Sequence, residues 1–154
     1  MSHKYAAKIR WTGNLGEGTS NYRSYSRDYD ILVDGRPTLM GSSDAAFRGD
    51  ASRHNPEDLL LASISACHML WYLSLCAMAK IVVTGYEDDA VAEMAMNADG
   101  SGQFTSATLR PRVTIASGDK ALAKSLHHDA NQKCFIARSL NFPIHHEVEI
   151  IEAG

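Results

Sequence analysis

Asn55-Pro56-Glu57-Asp58-Leu59-Leu60-Leu61-Ala62-Ser63-Ile64-Ser65-Ala66-Cys67-His68-Met69-Leu70-Trp71-Tyr72-Leu73-Ser74-Leu75-Cys76-Ala77-Met78-Ala79-Lys80-Ile81 reads as one long helix. Asn55 is a capping residue type, and Pro56 suits the first helical turn. Glu57 and Asp58 fall where the positive end of the helix dipole favours carboxylates. From Leu59 to Ala79 there are 21 residues without a formal charge. Apolar residues cover nearly the whole circumference, so the helix is expected to be buried on most sides. Its length also satisfies a bilayer span. Ser63, Ser65, His68 and Ser74 dilute the apolarity, however, and no aromatic belt or basic cluster flanks the ends. A buried core helix is the reading adopted here, with no membrane association.

Working outward, the segment before the helix reads as strands. Residues 4–12 alternate, with Tyr5, Ala7, Ile9 and Trp11 on one face. Residues 13–18 carry three glycines and form a turn. Residues 19–33 read as strand, kink, strand, and Asp34-Gly35 is a hairpin signal leading to a short returning strand at 37–40. A polar loop over 41–54 then enters the helix.

After the helix, residues 81–84 lead into Gly85, and 90–97 alternate as a strand. Asp99-Gly100-Ser101-Gly102 is a hairpin turn, and 104–116 read as one long strand with Pro111 marking an edge or a bulge. Residues 117–140 are helical in period, with Asp119 near the start and a break expected around 129–131. Residues 145–151 alternate as a last strand. The order predicts a single α+β domain over 1–154, with antiparallel sheets packed around the central helix and a second helical segment.

Composition narrows the function. At 154 residues, 45% hydrophobic and 21% charged, the chain can bury a real core. A net charge of −3 and a pI near 6.1 give no electrostatic support to nucleic-acid binding. The start has no apolar core of the kind a signal peptide carries, so the cytoplasm is the expected compartment. There the three cysteines are reduced at rest, and any disulfide is catalytic or sensing.

Cys67 and Cys76 lie nine residues apart on one helix, which is about 900° of rotation and roughly 13 Å of rise. They point to opposite faces and cannot pair, because a disulfide needs Cα atoms within about 7 Å. Cys134, in Asn131-Gln132-Lys133-Cys134-Phe135-Ile136-Ala137, is the internal partner that remains. If that segment opens a short helix, Cys134 sits in its first turn, where a thiolate is favoured. Cys67 is too deep in its helix for the dipole to help, and needs a cationic side chain from elsewhere. A buried helical thiol is also an ordinary small hydrophobe, and spacing alone leaves both readings open.

Asn55-Pro56-Glu57-Asp58-Leu59-Leu60, then Ser65-Ala66-Cys67, with Cys134 before the last strand, resembles the osmotically inducible and organic hydroperoxide resistance proteins (the OsmC/Ohr family). The combination spans most of the chain. The resemblance implies an intertwined homodimer with two sites at the subunit interface. It implies that Cys67 attacks a hydroperoxide and Cys134 resolves the product as an internal disulfide. Glu57 would anchor an arginine that tunes the first thiol. Glu57 is ten residues, about 15 Å, from Cys67 along a straight helix, so the Glu57 serving a given Cys67 is expected from the partner subunit.

For the arginine, Arg27 in Ser26-Arg27-Asp28 is favoured, since a kink between strands can aim it inward. Arg48 is second and Arg53 third. Cys134-Phe135-Ile136-Ala137 replaces the Cys-Pro turn familiar in the family. Trp71 and Phe135 are core candidates that could also line an apolar mouth for substrate beside Arg48. Cys76 is expected to be a bystander. The resemblance thus implies a thiol peroxidase that turns organic hydroperoxides into alcohols and draws electrons from an external dithiol of lipoyl type or another small dithiol. No flavin, haem or nicotinamide motif is present, so no cofactor is expected. The alternative is a protein of the same fold that senses redox state or binds an apolar ligand without turnover.

Histidines occur as His127-His128 and His145-His146, and His68 follows Cys67. No pair has the short spacing of structural zinc sites, so no metal is expected. His68 is read as a satisfied core histidine.

Overall fold

Asn55 Oδ1 accepts the Asp58 N–H at 2.8 Å, which starts helix α1 (Pro56–Met78) as its sequence predicts. The helix ends three residues before Ile81. Lys80 adopts a left-handed φ of 60°, its N–H reaches the Ala77 carbonyl, and the Ile81 N–H reaches the Cys76 carbonyl at 2.9 Å. Those two bonds form the Schellman closure of a helix C-terminus. The computed structural model describes all residues, Met1–Gly154, and they divide into two compact units, Met1–Leu60 and Leu61–Gly154.

The first unit holds a three-stranded antiparallel sheet: β1 (Lys8–Trp11), β2 (Tyr29–Leu32) and β3 (Leu39–Gly41), in that order. The Asp34-Gly35 hairpin forms as expected, with Ile31 opposite Leu39 and Gly35 at φ 70°. The first strand is shorter than 4–12, and the strand expected early in 19–33 is absent. Asn14 explains the second difference. Its Oδ1 accepts the N–H groups of both Gly16 and Gly18 at 3.0 Å, coiling the chain into turns that rejoin the sheet only through an Asn14–Tyr25 bridge. A short 3-10 turn, Ala45–Phe47, follows, capped by Asp44.

The second unit contains two further sheets, ordered β4-β7-β9 and β5-β6-β8. Strand β4 (Val82–Asp88) runs on through Gly85, past where the sequence suggests a stop. Its register against β7 (Pro111–Ser117) shifts at Val82–Val83 and again before Gly85, so the glycine serves an irregular pairing. Strands β5 (Val91–Met96) and β6 (Gly102–Leu109) form the expected hairpin, with Gly100 at φ 87°.

The long strand expected over 104–116 is two strands in two different sheets. The break is at Arg110, whose backbone N–H is taken by Asp88 Oδ1 at 2.6 Å, and Pro111 becomes the first residue of β7, where a missing N–H is tolerated. The last strand likewise divides into β8 (Ile144–His146) and β9 (Glu149–Glu152). Each runs parallel to its neighbour, β8 to β6 and β9 to β7, so both sheets are mixed. Between them the Glu147 N–H bonds to the Leu109 carbonyl at 2.8 Å, tying the two crossover points together.

Helix α2 (Lys120–Lys133) starts at Asp119, whose Oδ1 accepts the Leu122 N–H at 2.9 Å. It passes through 129–131 unbroken and stops at Cys134, which turns to an extended ψ of 115° and caps the four-residue helix α3 (Phe135–Arg138). The core of this unit packs Tyr72 and Cys76 of α1 against Val113, Ile115 and Ile150 of the sheet and Ala123, Leu126 and Ala130 of α2. One face of α1 is therefore core, but Ala62, Ala66, Leu70, Ser74 and Met78 on the opposite face are exposed. The helix expected to be buried on most sides thus packs along one side only, and its length and apolarity would also suit a membrane.

Candidate functional site

Position 67 falls between the two extremes of α1. Ile64, His68, Tyr72 and Cys76 recur every four residues and are fully buried. Cys67 lies to the side of that stripe and is partly exposed. Cys134 is fully buried at the junction of α2 and α3, and the fold brings its thiol within hydrogen-bonding reach of Cys67. Burial first, and then the hydrogen bond to Cys67, push the Cys134 thiol up to about 11. The Ala137 N–H, 3.4 Å from Sγ, opposes this only in part. A favoured thiolate at Cys134 is thus corrected: desolvation outweighs the short helix, and Cys134 is the protonated donor of the pair.

Two expected lining residues meet beside the thiols. Trp71 is one turn beyond Cys67, and Phe135 directly follows Cys134. Their rings pack edge to face with centroids 5.5 Å apart, leaving Phe135 68% exposed. Lys133, not foreseen from the sequence, places its ammonium 5.7 Å from the Trp71 ring centroid. Its position next to Cys134 was legible, but no spacing rule connects it to a tryptophan on another helix. Cys76 is elsewhere, enclosed against the Tyr72 hydroxyl, with its thiol pushed up by burial.

The remaining candidates belong to the first unit. Glu57, in the first turn of α1, has a buried Oε2 with no hydrogen-bond partner. Burial, and then the Glu57 carboxylate, raise the Tyr29 phenol. Arg27 donates to the carbonyls of Tyr25 and Tyr22, each at 2.7 Å, and lies over both rings at 4.0 and 4.4 Å from their centroids. Those contacts hold its guanidinium against the tyrosines, and it forms no ion pair with Glu57 within this chain. Arg48 is exposed on a left-handed residue, φ 65°, and 5.9 Å from the Tyr22 centroid. Arg53 is shared between Asp28 and Asp50, both at 3.7 Å.

A second polar cluster was only half legible. His68 Nε2 lies 2.9 Å from His127 Nδ1, and the His146 ring centroid is 4.6 Å from that of His68. Burial, then the neighbouring imidazoles, lower His68 to about 4 and His127 to about 3. His68 is therefore a core histidine bonded on one side, while its Nδ1 has no partner. The adjacent His127 and His128 divide between core and solvent. No three His, Cys, Asp or Glu side chains converge as a metal ion would require.

Comparison with known proteins bears on this pair of thiols. Residues 49–149 match the model of a family described as OsmC-like protein. No curated protein sequence matches the chain. Among solved structures, an OsmC-like protein of unknown function from Vibrio cholerae superposes with a TM-score of 0.87 at 27% identity, over 96% of this chain and 99% of that one. An organic hydroperoxide resistance protein from Elizabethkingia anophelis gives 0.65 at 18% identity, over 99% and 100% of the two chains. One from Bacillus subtilis gives 0.58 at 19% identity, over 95% and 98%.

Proposed function

Because this chain belongs to the OsmC-like family, we propose that it is a thiol-dependent peroxidase that reduces organic hydroperoxides to alcohols. The observation that carries the proposal is the Cys67–Cys134 contact: a partly exposed thiol on a long helix and a buried, protonated one beside it. The names of the hydroperoxide resistance proteins that share the fold support the same chemistry.

In the first step the Cys67 thiolate attacks one peroxide oxygen and the O–O bond breaks. The alkoxide leaves as the alcohol after taking one proton, and Cys67 becomes a sulfenic acid. In the second step the Cys134 sulfur attacks Cys67 Sγ, the S–O bond breaks, and water leaves with the thiol's proton. An external dithiol, of lipoyl type or similar, then reduces the disulfide and is itself oxidised. The net reaction converts one hydroperoxide and one dithiol into alcohol, water and one disulfide. Trp71 and Phe135 supply an apolar wall for an alkyl substituent. The cytoplasm, where such a dithiol is kept reduced, is the matching compartment.

A homodimer completes the site in this reading. Ala62, Ala66, Leu70, Ser74 and Met78 form an exposed, charge-free stripe opposite the buried one, with Leu70 and Met78 63% and 68% exposed. Small residues at Ala62 and Ala66 let a second α1 approach closely. In an antiparallel pair, Glu57 of the partner subunit faces Cys67 only if the two-fold axis passes beside residue 62, midway between them. The unpartnered Glu57 carboxylate is then available to orient an arginine, Arg27 foremost, toward the Cys67 thiol.

Turnover with excess dithiol is the test. The peroxidase consumes many equivalents of an alkyl hydroperoxide per Cys67 and accumulates a Cys67–Cys134 disulfide when dithiol is withheld. A protein that oxidises once and stops is a sensor or binding protein, and the proposal fails.

A further inference from the structure

Cys67 lies on α1 and Cys134 at the end of α2, so their contact depends on how the two helices are placed against each other. A disulfide requires Cα atoms within about 7 Å, and sliding one helix by a single turn moves it about 5.4 Å. Apolar packing specifies that register poorly. Beside Tyr72 and Cys76 of α1, α2 contributes Ala123, Leu126 and Ala130, and attraction between such groups has no direction. Two hydrogen bonds between the helices do have direction. The Tyr72 hydroxyl donates to the Ala123 carbonyl at 3.0 Å, and His68 Nε2 meets His127 Nδ1 at 2.9 Å.

The imidazole bond stands nearest the thiols in sequence. His68 directly follows Cys67, and Cys134 lies seven residues, about two turns, beyond His127 on nearly the same side of α2. The Cys134 N–H still bonds to the Ala130 carbonyl at 2.9 Å, so its backbone continues the helix that His127 anchors. The pair is enclosed by other rings: His146 of β8 lies 4.6 Å from His68, and Tyr72 stacks on His127 at 3.8 Å, between centroids. Burial keeps both imidazoles neutral at neutral pH, so one donates and the other accepts. Their outer nitrogens, His68 Nδ1 and His127 Nε2, have no partner. Two apolar side chains would avoid that desolvation cost, so stability alone does not account for the pair. Setting a register is the best-attested use of such a buried polar pair.

We infer that His68 and His127 are positioning residues, whose mutual hydrogen bond fixes the register of α1 against α2 and so holds Cys67 and Cys134 within reach of a disulfide. This role rests on the thiol pair of the proposed peroxidase, but on neither its substrate nor its reductant.

The test equilibrates the full-length protein with mixtures of reduced and oxidised dithiothreitol and quantifies the Cys67–Cys134 disulfide by thiol labelling and mass spectrometry. Urea unfolding of each reduced protein is measured beside it. In the exchange the two cysteine thiols pass two electrons and two protons to oxidised dithiothreitol, which becomes the dithiol. His68→Leu combined with His127→Leu removes both partners of the bond together, and this variant is expected to be as stable as the parent or more so. Its disulfide equilibrium constant nonetheless falls about tenfold or more. His68→Gln combined with His127→Asn places amide groups at the two bonded positions and keeps the constant within about twofold of the parent. A leucine pair that keeps the parent constant, or that is less stable than the parent, overturns the inference. So does a glutamine–asparagine pair whose constant falls as far as that of the leucine pair. If the parent forms no Cys67–Cys134 disulfide at any ratio, the thiol pair falls and this role with it. A disulfide that forms in a protein without peroxide turnover sinks only the peroxidase, and the comparison of variants still decides the role of the histidines.

Discussion

The protonated Cys134 thiol bonds to Cys67, whereas Cys76, on the same helix as Cys67, is enclosed against Tyr72. The three thiols therefore separate in replacement experiments. Cys67→Ser removes the nucleophile, and hydroperoxide turnover is expected to fall by about a thousandfold or more. Cys134→Ser retains the first attack, so one equivalent of peroxide is consumed and mass spectrometry finds Cys67 as a sulfenic or sulfinic acid with no internal disulfide. Cys76→Ser leaves turnover in place and lowers stability by about 1–2 kcal/mol, because a hydroxyl is harder to bury than a thiol. Equal peroxide reactivity at Cys76 and Cys67 would sink the two-thiol mechanism.

Arg27 lies over the Tyr22 and Tyr25 rings and donates to two backbone carbonyls, a pair of contacts that a planar guanidinium suits better than an ammonium. Arg27→Lys is expected to lower kcat/KM about tenfold or more, as the Cys67 site loses its guanidinium. Arg48→Lys should change it much less. The reverse order would transfer the activating role to Arg48.

On the acid side, stability is governed by the buried imidazoles. His68 and His127 have folded values of about 4 and about 3, below the ordinary 6.5, so between those limits the unfolded chain binds more protons than the native one. Their contribution is intact above pH 6.5 and is lost as pH falls toward 4 and then 3. Urea denaturation across that range is expected to show a loss on the order of 6 kcal/mol by pH 4, about 3 kcal/mol from each ring. A flat profile from pH 6.5 to 4 would contradict the burial of this pair.

On the alkaline side the sign reverses. Cys134 is raised from 9.0 to about 11, so above pH 9 the native state holds a proton that the unfolded chain has released. Stability from this thiol is fully present below pH 9 and falls by on the order of 2 kcal/mol as pH rises to about 11. Cys134→Ala should reduce that slope, leaving the part that the buried Cys76, Tyr72 and Tyr86 contribute, and should leave the acid-side loss unchanged.

The exposed stripe on α1 gives the oligomer a specific weak point. Ala62→Arg is expected to convert a dimer to a monomer in light scattering and to abolish turnover while each chain stays folded by circular dichroism. If Ala62→Arg remains a fully active dimer, the antiparallel pairing about residue 62 is wrong.

Much of this protein is determined locally. Asn55, Pro56 and the two acidic residues start α1, and Asp34-Gly35 and Asp99-Gly100 turn two hairpins. Asp119 starts α2, because capping and turn chemistry act over a few residues and are readable in order. Nine residues of helical rotation also suffice to separate Cys67 from Cys76. The Asn-Pro-Glu and Ala-Cys spacing carried the family, since both lie on one helix.

What required the tertiary structure is whatever depends on residues far apart in sequence. The strand periodicity over 104–116 is continuous, yet Asp88 takes the Arg110 N–H and sends its two halves to different sheets. The thiolate expected at Cys134 depended on its helix, but burial against α1 decided the matter, and no local pattern reports desolvation. His68 finds His127 across 59 positions for the same reason. A sequence specifies which groups a chain carries and how each turn is capped. Their protonation and their partners follow from the low-dielectric interior that forms only when distant segments pack together.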